Sequence, residues 1–216
     1  MTEKANAAAA QADNESQTPT VSQTAQKAVD PTLVTVGQPT EGGCVWFHYG
    51  TGATLPTDAV ASMATMDGYV SLGDVSENGF TLGRALTVNK FKNWNGEVVL
   101  SSPSDDQETA KIEFIEVNRT SVAQLRFGKD NVVDAGDGSV KEATAKAGTV
   151  TKGTLVIDEL ESNGYKRRTV MPLVSPESFD DETHQKGSLL MSGMTFTMLA
   201  NDAGFMHKVY RAKPSE

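Results

Sequence analysis

The stretch Glu108-Thr109-Ala110-Lys111-Ile112-Glu113-Phe114-Ile115-Glu116-Val117 decides how the rest of the chain is read. Successive side chains of a strand alternate between faces, so Ala110, Ile112 and Phe114 share one face while Lys111 and Glu113 share the other. That period of two predicts a strand over residues 108–117, with one face buried. Upstream, residues 85–94 and 98–101 read as two further strands. Cys44-Val45-Trp46-Phe47-His48-Tyr49 is apolar and aromatic between Gly42-Gly43 and Gly50, the pattern of a buried strand between turns. Residues 51–83 between them are rich in Gly, Asp, Ser and Thr and have no sustained period, so they read as a long inter-strand loop. Loops of that length in compact domains are usually functional.

Downstream, Asn118 is placed to cap a short helix carrying Val122 and Leu125 on one face and ended by Gly128. Residues 129–147, rich in Gly, Asp, Ala and Lys, read as a loop. Two hairpins then follow. Residues 149–160 and 165–174 are joined through Asn163-Gly164, a strong turn signal, and residues 188–200 and 205–211 are joined around Asn201-Asp202-Ala203-Gly204. The pattern predicts a mainly β chain, a β-sandwich or barrel with one short flanking α-helix.

Composition bounds the function. The 216 residues are 38% hydrophobic, enough for one core plus tails, and the formal net charge of −9 opposes condensation on nucleic acid or on an anionic membrane. The lone Cys44 leaves no internal disulfide and no cysteine cluster for a metal. No run approaches the roughly eighteen apolar residues that span a bilayer, and the N-terminus lacks the basic-then-apolar order of a secretory signal. Residues 1–30 have no aromatic residue, include Ala7-Ala8-Ala9-Ala10, and carry two cations against four anions; they read as a flexible arm ahead of a domain over residues 31–216.

The residues give little sign of catalysis. His48, His184 and His207 have no metal-ligand spacing, and no nucleophile elbow, phosphate-binding glycine loop or zinc signature is present. Asp105, Asp106 and Glu108, read as a turn after Pro103, and the segment from Asp134 to Ser139 are acidic but match no calcium loop. Asn118-Arg119-Thr120 reads as part of the helix start rather than a glycosylation site. Alternation sends Lys166 and Arg168 to one face and Arg167 to the other, so these cations read as partners for carboxylates of a neighbouring copy rather than as a nucleic-acid patch. Met191, Met194 and Met198, with Leu189, Leu190, Phe196 and Leu199, read as core packing on both faces of a central strand. These readings predict no enzyme activity, no cofactor and no metal.

Five short pieces in order, Leu55-Pro56-Thr57-Asp58, Leu72 through Gly79, Trp94-Asn95-Gly96, Ile115 through Asn118, and Phe127-Gly128, together with a β-rich second half ending in Tyr210, resemble the major tail protein, or tail tube protein, of long non-contractile-tailed bacteriophages across roughly residues 31–213. The family often has aspartate and glycine where this chain has Asn78 and Asn95. The resemblance implies a tail-tube β-sandwich and a structural virion protein, assembled in the host bacterial cytoplasm into stacked hexameric rings. It implies strands from every subunit joining in one inner barrel, whose acidic or neutral lumen conducts DNA during ejection without specific binding. It also implies partners: further copies of itself, a tape-measure protein, and tail-terminator and tip proteins. It assigns subunit contacts to Leu55, Pro56, Asp58, Leu72, Asp74, Val75 and Glu77, and the turn between two tube-wall strands to Trp94, Asn95 and Gly96. A carbohydrate-binding β-sandwich on a virion or cell surface is the alternative, set against aromatic residues that make up only 6% of the chain and read as buried.

Overall fold

In the computed structural model, which describes residues 30–40 and 43–213, the alternating segment is the inner half of a much longer strand. The strands are β1 (Gly37–Pro39), β2 (Val45–Tyr49), β3 (Tyr69–Ser71), β4 (Val75–Lys92), β5 (Val98–Phe114), β6 (Val132–Asp134), β7 (Val140–Ala143), β8 (Gly153–Glu161), β9 (Lys166–Phe179), β10 (Ser192–Met198) and β11 (Lys208–Ala212). One helix, α1 (Thr120–Phe127), lies between β5 and β6. The described residues are therefore mainly β, antiparallel and sandwich-like, with a single short α-helix among them. Residues 35–216 cluster as one unit; residues 1–34 cluster separately, and their described part is a single 3-10 turn at Pro31–Leu33. The flexible arm read over residues 1–30 lies, Asp30 apart, outside the described residues.

Seven strands run in the order β3-β2-β8-β9-β10-β5-β4, with β1 added to β8 and β11 to β9. Laid flat, six steps of about 4.8 Å would set β3 and β4 roughly 29 Å apart. Yet Ser71 ends β3 and Val75 begins β4, and an extended chain spans at most about 14 Å between those two residues. The sheet must therefore curl until its ends meet. Leu72-Gly73-Asp74 is the join: Leu72 N–H donates to the Val45 carbonyl at the start of β2 (2.9 Å), and the Asp74 carbonyl accepts from Ile115 N–H just past β5 (3.3 Å). Gly73 is required there, since its φ is +78° and a Cβ would run into the Glu116 carboxylate.

Curling encloses one core. Phe47, Leu72, Ile112, Phe114, Leu155, Ile157, Met171, Met194 and Phe196 are fully or almost fully buried in it, and Val122 and Leu125 of α1 close one flank. Tyr49 Oη donates to the Ser121 carbonyl (2.7 Å), which ties the helix to β2. A second cluster, Met63, Tyr69, Val156 and Val170, lies on the other side of β8 and β9. Residues 51–68 supply its cover through Leu55, Met63 and Met66. The Asn163-Gly164 turn forms as read: Gly164 has φ +82°, and Glu161 N–H donates to the Tyr165 carbonyl (2.8 Å).

Several expectations are corrected. The loop over residues 51–83 ends at residue 68, because it contains the 3-10 turn Met63–Thr65, β3 and the first part of β4. Residues 85–94, 98–101 and 108–117 belong to only two strands, β4 and β5, and the acidic turn after Pro103 is absent. Thr87 pairs with Asp105 and Val88 with Pro103, so Ser104 bulges out and accommodates a proline that a regular ladder would reject. Residues 129–147 hold the small β6–β7 hairpin, where Asp134 and Asp137 accept backbone N–H groups of Gly136 and Ser139. β10 and β11 do not pair with each other: both pair with the same edge of β9, at its C-terminal and N-terminal halves. Arg119, not Asn118, is the N-cap residue, without a side-chain cap, while Thr120 Oγ1 donates to Asp134 (2.6 Å). β10 buries one apolar face, Met194, Phe196 and Met198, and turns Thr195 and Thr197 the other way.

Leu72→Ala empties a buried site at the join and is expected to cost about 2–5 kcal/mol, read as a lower urea midpoint. The Glu161 side chain, 2% exposed, accepts from Arg211 Nε of β11 at 2.8 Å, and the guanidinium lies 3.9 Å over the Tyr165 ring. These bonds hold the Glu161 carboxyl below its ordinary 4.5. Because the folded state has the lower pKa, this stabilisation is present above about pH 4.5 and is lost as pH falls. Glu161→Gln is therefore expected to flatten the fall in melting temperature on the acid side of pH 4.5.

Candidate functional site

Two features of the fold face outward, and the first, the outer part of the β4–β5 hairpin, lies beyond its core. β5 is paired with β10 only from Glu108 to Phe114. Beyond that, residues 85–92 and 98–107 pair only with each other and form a ribbon about 25 Å long. Leu86, Phe91, Val98, Val99 and Leu100 are all more than half exposed, and Trp94 at the tip touches nothing. Two-stranded ribbons are marginal in water on their own. Here the base is braced: Arg84 donates to Asp106 (2.6 and 2.8 Å) and sits 3.7 Å from Glu108, whose carboxylate also meets His207 Nδ1 at 2.5 Å.

The tip is a tight turn. Asn93 Oδ1 accepts from Glu97 N–H (2.9 Å), Asn93 Nδ2 donates to the Glu97 carboxylate (2.8 Å), and Gly96 adopts φ +85°. The expected turn at Trp94-Asn95-Gly96 is thus present. Trp94 anchors nothing beneath its own loop, because packing within the protomer ends well before the tip.

The second feature is the crossing loop, residues 51–68. Arg168, 3% exposed, holds it down: the guanidinium donates to Asp158 (2.6 and 2.8 Å), to the Asp58 carbonyl (3.0 Å) and to the Ala61 carbonyl (2.8 Å). The Asp58 carboxylate accepts from Ala61 and Val60 N–H, which holds its carboxyl below the ordinary 3.8. Arg167 lies 3.6 Å from Glu159. Two of the three clustered cations therefore meet carboxylates of their own chain, because β8 and β9 place Asp158 opposite Arg168 and Glu159 opposite Arg167.

The structure distributes the residues expected at subunit contacts over three environments. Leu72 and Pro56 are buried, and Leu55 and Val75 are half-buried against the two cores. Asp58, Asp74 and Glu77 are exposed on the loop and at the start of β4, and Trp94, Asn95 and Gly96 are exposed at the ribbon tip. Asp74 and Glu77 line the same shallow cleft, while the ribbon tip forms a separate surface. The ribbon's Leu86, Phe91, Lys90 and Lys92 were not singled out from sequence. The usable signal was the apolar run Val98-Val99-Leu100, which lacks the alternation of a strand with one buried face.

Among the described residues, no three His, Cys, Asp or Glu side chains converge as a metal site. His48 is edge-on to Tyr69, with ring centroids 5.4 Å apart, and His184 is exposed. Burial, with Asp74 nearby, pushes the Cys44 thiol up to about 11, which makes it a poor nucleophile at neutral pH.

No family model matches the chain, and no curated protein sequence does. A chain in the cryo-EM structure of the anti-feeding prophage baseplate, 6-fold symmetrised, aligns over 82% of this chain and 98% of its own length, with 11% identity and a TM-score of 0.40. Likeness at that level carries no conclusion about family or role.

Arg168→Met leaves Asp158 without its cation and the loop without its hook. The expected result is a loss of about 3–5 kcal/mol, with faster amide exchange concentrated over residues 58–62.

Proposed function

We propose that the protein is a structural subunit that assembles with copies of itself into a phage tail tube. Stacked hexameric rings, a lumen that passes DNA without gripping it, and contacts with tape-measure, terminator and tip proteins are parts of this reading. So are a place in the virion tail, assembly in the host bacterial cytoplasm and the absence of enzyme activity. The observation that carries it is the projecting ribbon, whose apolar side chains and β4 edge are left open by the protomer. A long, flat, open edge invites strand pairing, and closing copies into a ring satisfies it. The ordered pieces that resemble the tail-tube family support the same reading.

Charge supports a conduit. A surface making even about 6–10 phosphate contacts gains large nonspecific affinity for DNA, so a lumen that releases its cargo must avoid clustered cations. The net charge of −9, with Arg167, Arg168 and Arg211 each already facing a carboxylate of the chain, suits that requirement.

The carbohydrate-binding alternative gains one observation, since Trp94 and Phe91 are exposed rather than buried. Both sit on a projecting ribbon, whereas sugar sites set rings within a concave surface with convergent polar groups.

Negative-stain microscopy of the purified chain at rising concentration is expected to show rings or tubes. Removal of residues 88–102, replaced by a two-residue turn, is expected to leave the far-UV spectrum β-rich and to abolish those particles. Dispersed monomers at every concentration, with binding on a glycan array, would overturn the proposal.

A further inference from the structure

Beside the join, between β1, the start of β4 and β8, lies an open cleft of about 470 Å³. Its floor is apolar, made by Val75, Phe80, Ile115 and Ile157. Its walls carry Asp74, Glu77 and Glu159, while the Asp158 carboxylate turns to Arg168 on the other face of β8, and no cation of the described residues lines it. Asp158 and Glu159 face Arg168 and Arg167, but Asp74 and Glu77 are exposed and no cation of the described residues lies within ion-pair distance of either side chain. Burial raises the Glu159 carboxyl above its ordinary value, with Arg167 opposing the rise and Glu161 adding to it.

The ribbon tip is the complement of this cleft. Lys90 and Lys92 are exposed and have no carboxylate partner among the described residues, while the one nearby anion, Glu97, is engaged by Asn93. Between and beyond the lysines stand Phe91 and the fully exposed Trp94. The tip thus offers the Trp94 ring with two ammonium groups on the strand behind it, both on one face of β4, and the cleft offers an apolar floor flanked by two carboxylates. The volume falls within the range of pockets that enclose small ligands, and an indole buries about 150–250 Å² when it is covered.

We propose that the β4–β5 tip of one copy docks in the acidic cleft of a second copy, with Trp94 on the apolar floor and Lys90 and Lys92 against Asp74 and Glu77. The contact rests on the assembly reading above and specifies its chemistry. Tip and cleft are different surfaces, so the contact is head-to-tail: each copy gives a tip and receives one, and growth continues until a ring closes or a tube ends. Desolvated aromatic anchors supply most of the binding energy in such contacts, and the flanking charges select the register.

Two measurements on the full chain test it. In sedimentation velocity over a concentration series at low salt, Lys92→Glu and Glu77→Lys are each expected to weaken self-association at least tenfold, and the two together to restore most of it. In the second, chains carrying Asn95→Cys are mixed with chains carrying Glu77→Cys under mild oxidation, both with Cys44→Ser to remove the native thiol that lines the cleft. Disulfide-linked pairs are expected in the mixture and not in either variant alone. Unchanged association in both single variants, a swapped pair no better than either single, or tip cysteines that link to each other would overturn the docking while leaving self-assembly standing. In the unmodified chain, a zero-length amide link formed by a carbodiimide between Glu77 and Lys4 or Lys27 of the same chain would overturn it too, by assigning the cleft to the chain's own N-terminal segment. An unmodified chain that stays monomeric throughout would remove the assembly reading and this contact together.

Discussion

Three residues, Leu72, Gly73 and Asp74, connect the two ends of a seven-strand path, and that short tether compels the sheet to curl. Everything inside the molecule follows from it. The curled sheet brings Phe47 of β2, Phe114 of β5 and Phe196 of β10 into one buried cluster, and the short helix can close only the side that remains. The join is specified by chemistry as well as length, since a buried leucine, a glycine with positive φ and backbone bonds to β2 and to the chain beyond β5 coincide in consecutive residues.

The inner and outer halves of β5 show what sequence reasoning can and cannot see. Ala110, Ile112 and Phe114 alternate with polar residues because one face meets the core and the other does not, so their strand is legible. Leucine and valine at 98–100 and the polar run at 101–106 do not alternate, because both faces of the ribbon are open and no core imposes a period. There the turn chemistry of Pro103, Asp105 and Asp106 outweighed extended structure in the reading, and the bulge at Ser104 reversed the outcome. The β6–β7 hairpin was obscured in the same way by its glycines and aspartates. The turn after β10 was read correctly as a turn, but local sequence does not reveal that β10 and β11 share a third strand as partner.

The outward-facing residues were legible in part. Trp94, Asn95 and Gly96 stood out through the resemblance to the tail-tube family, and they do sit at an exposed tip. Arg168 was visible as a charge, but its buried role depends on Asp158 lying opposite it across two strands and on a loop some hundred residues upstream in sequence. Charge alone suggested an external partner; register supplied an internal one.

The two edges of the ribbon are unequal. Both outer irregularities, at Ser104 and at Val99, are extra residues in β5, while β4 runs from Phe80 to Lys92 without one. Bulges spoil an edge as a template and increase its twist, so an incoming strand finds an orderly row of donors and acceptors on β4 alone. The ribbon therefore carries a polarity of its own: it is suited to extension along β4 and not along β5, so two copies do not zip together as equals through their β5 edges.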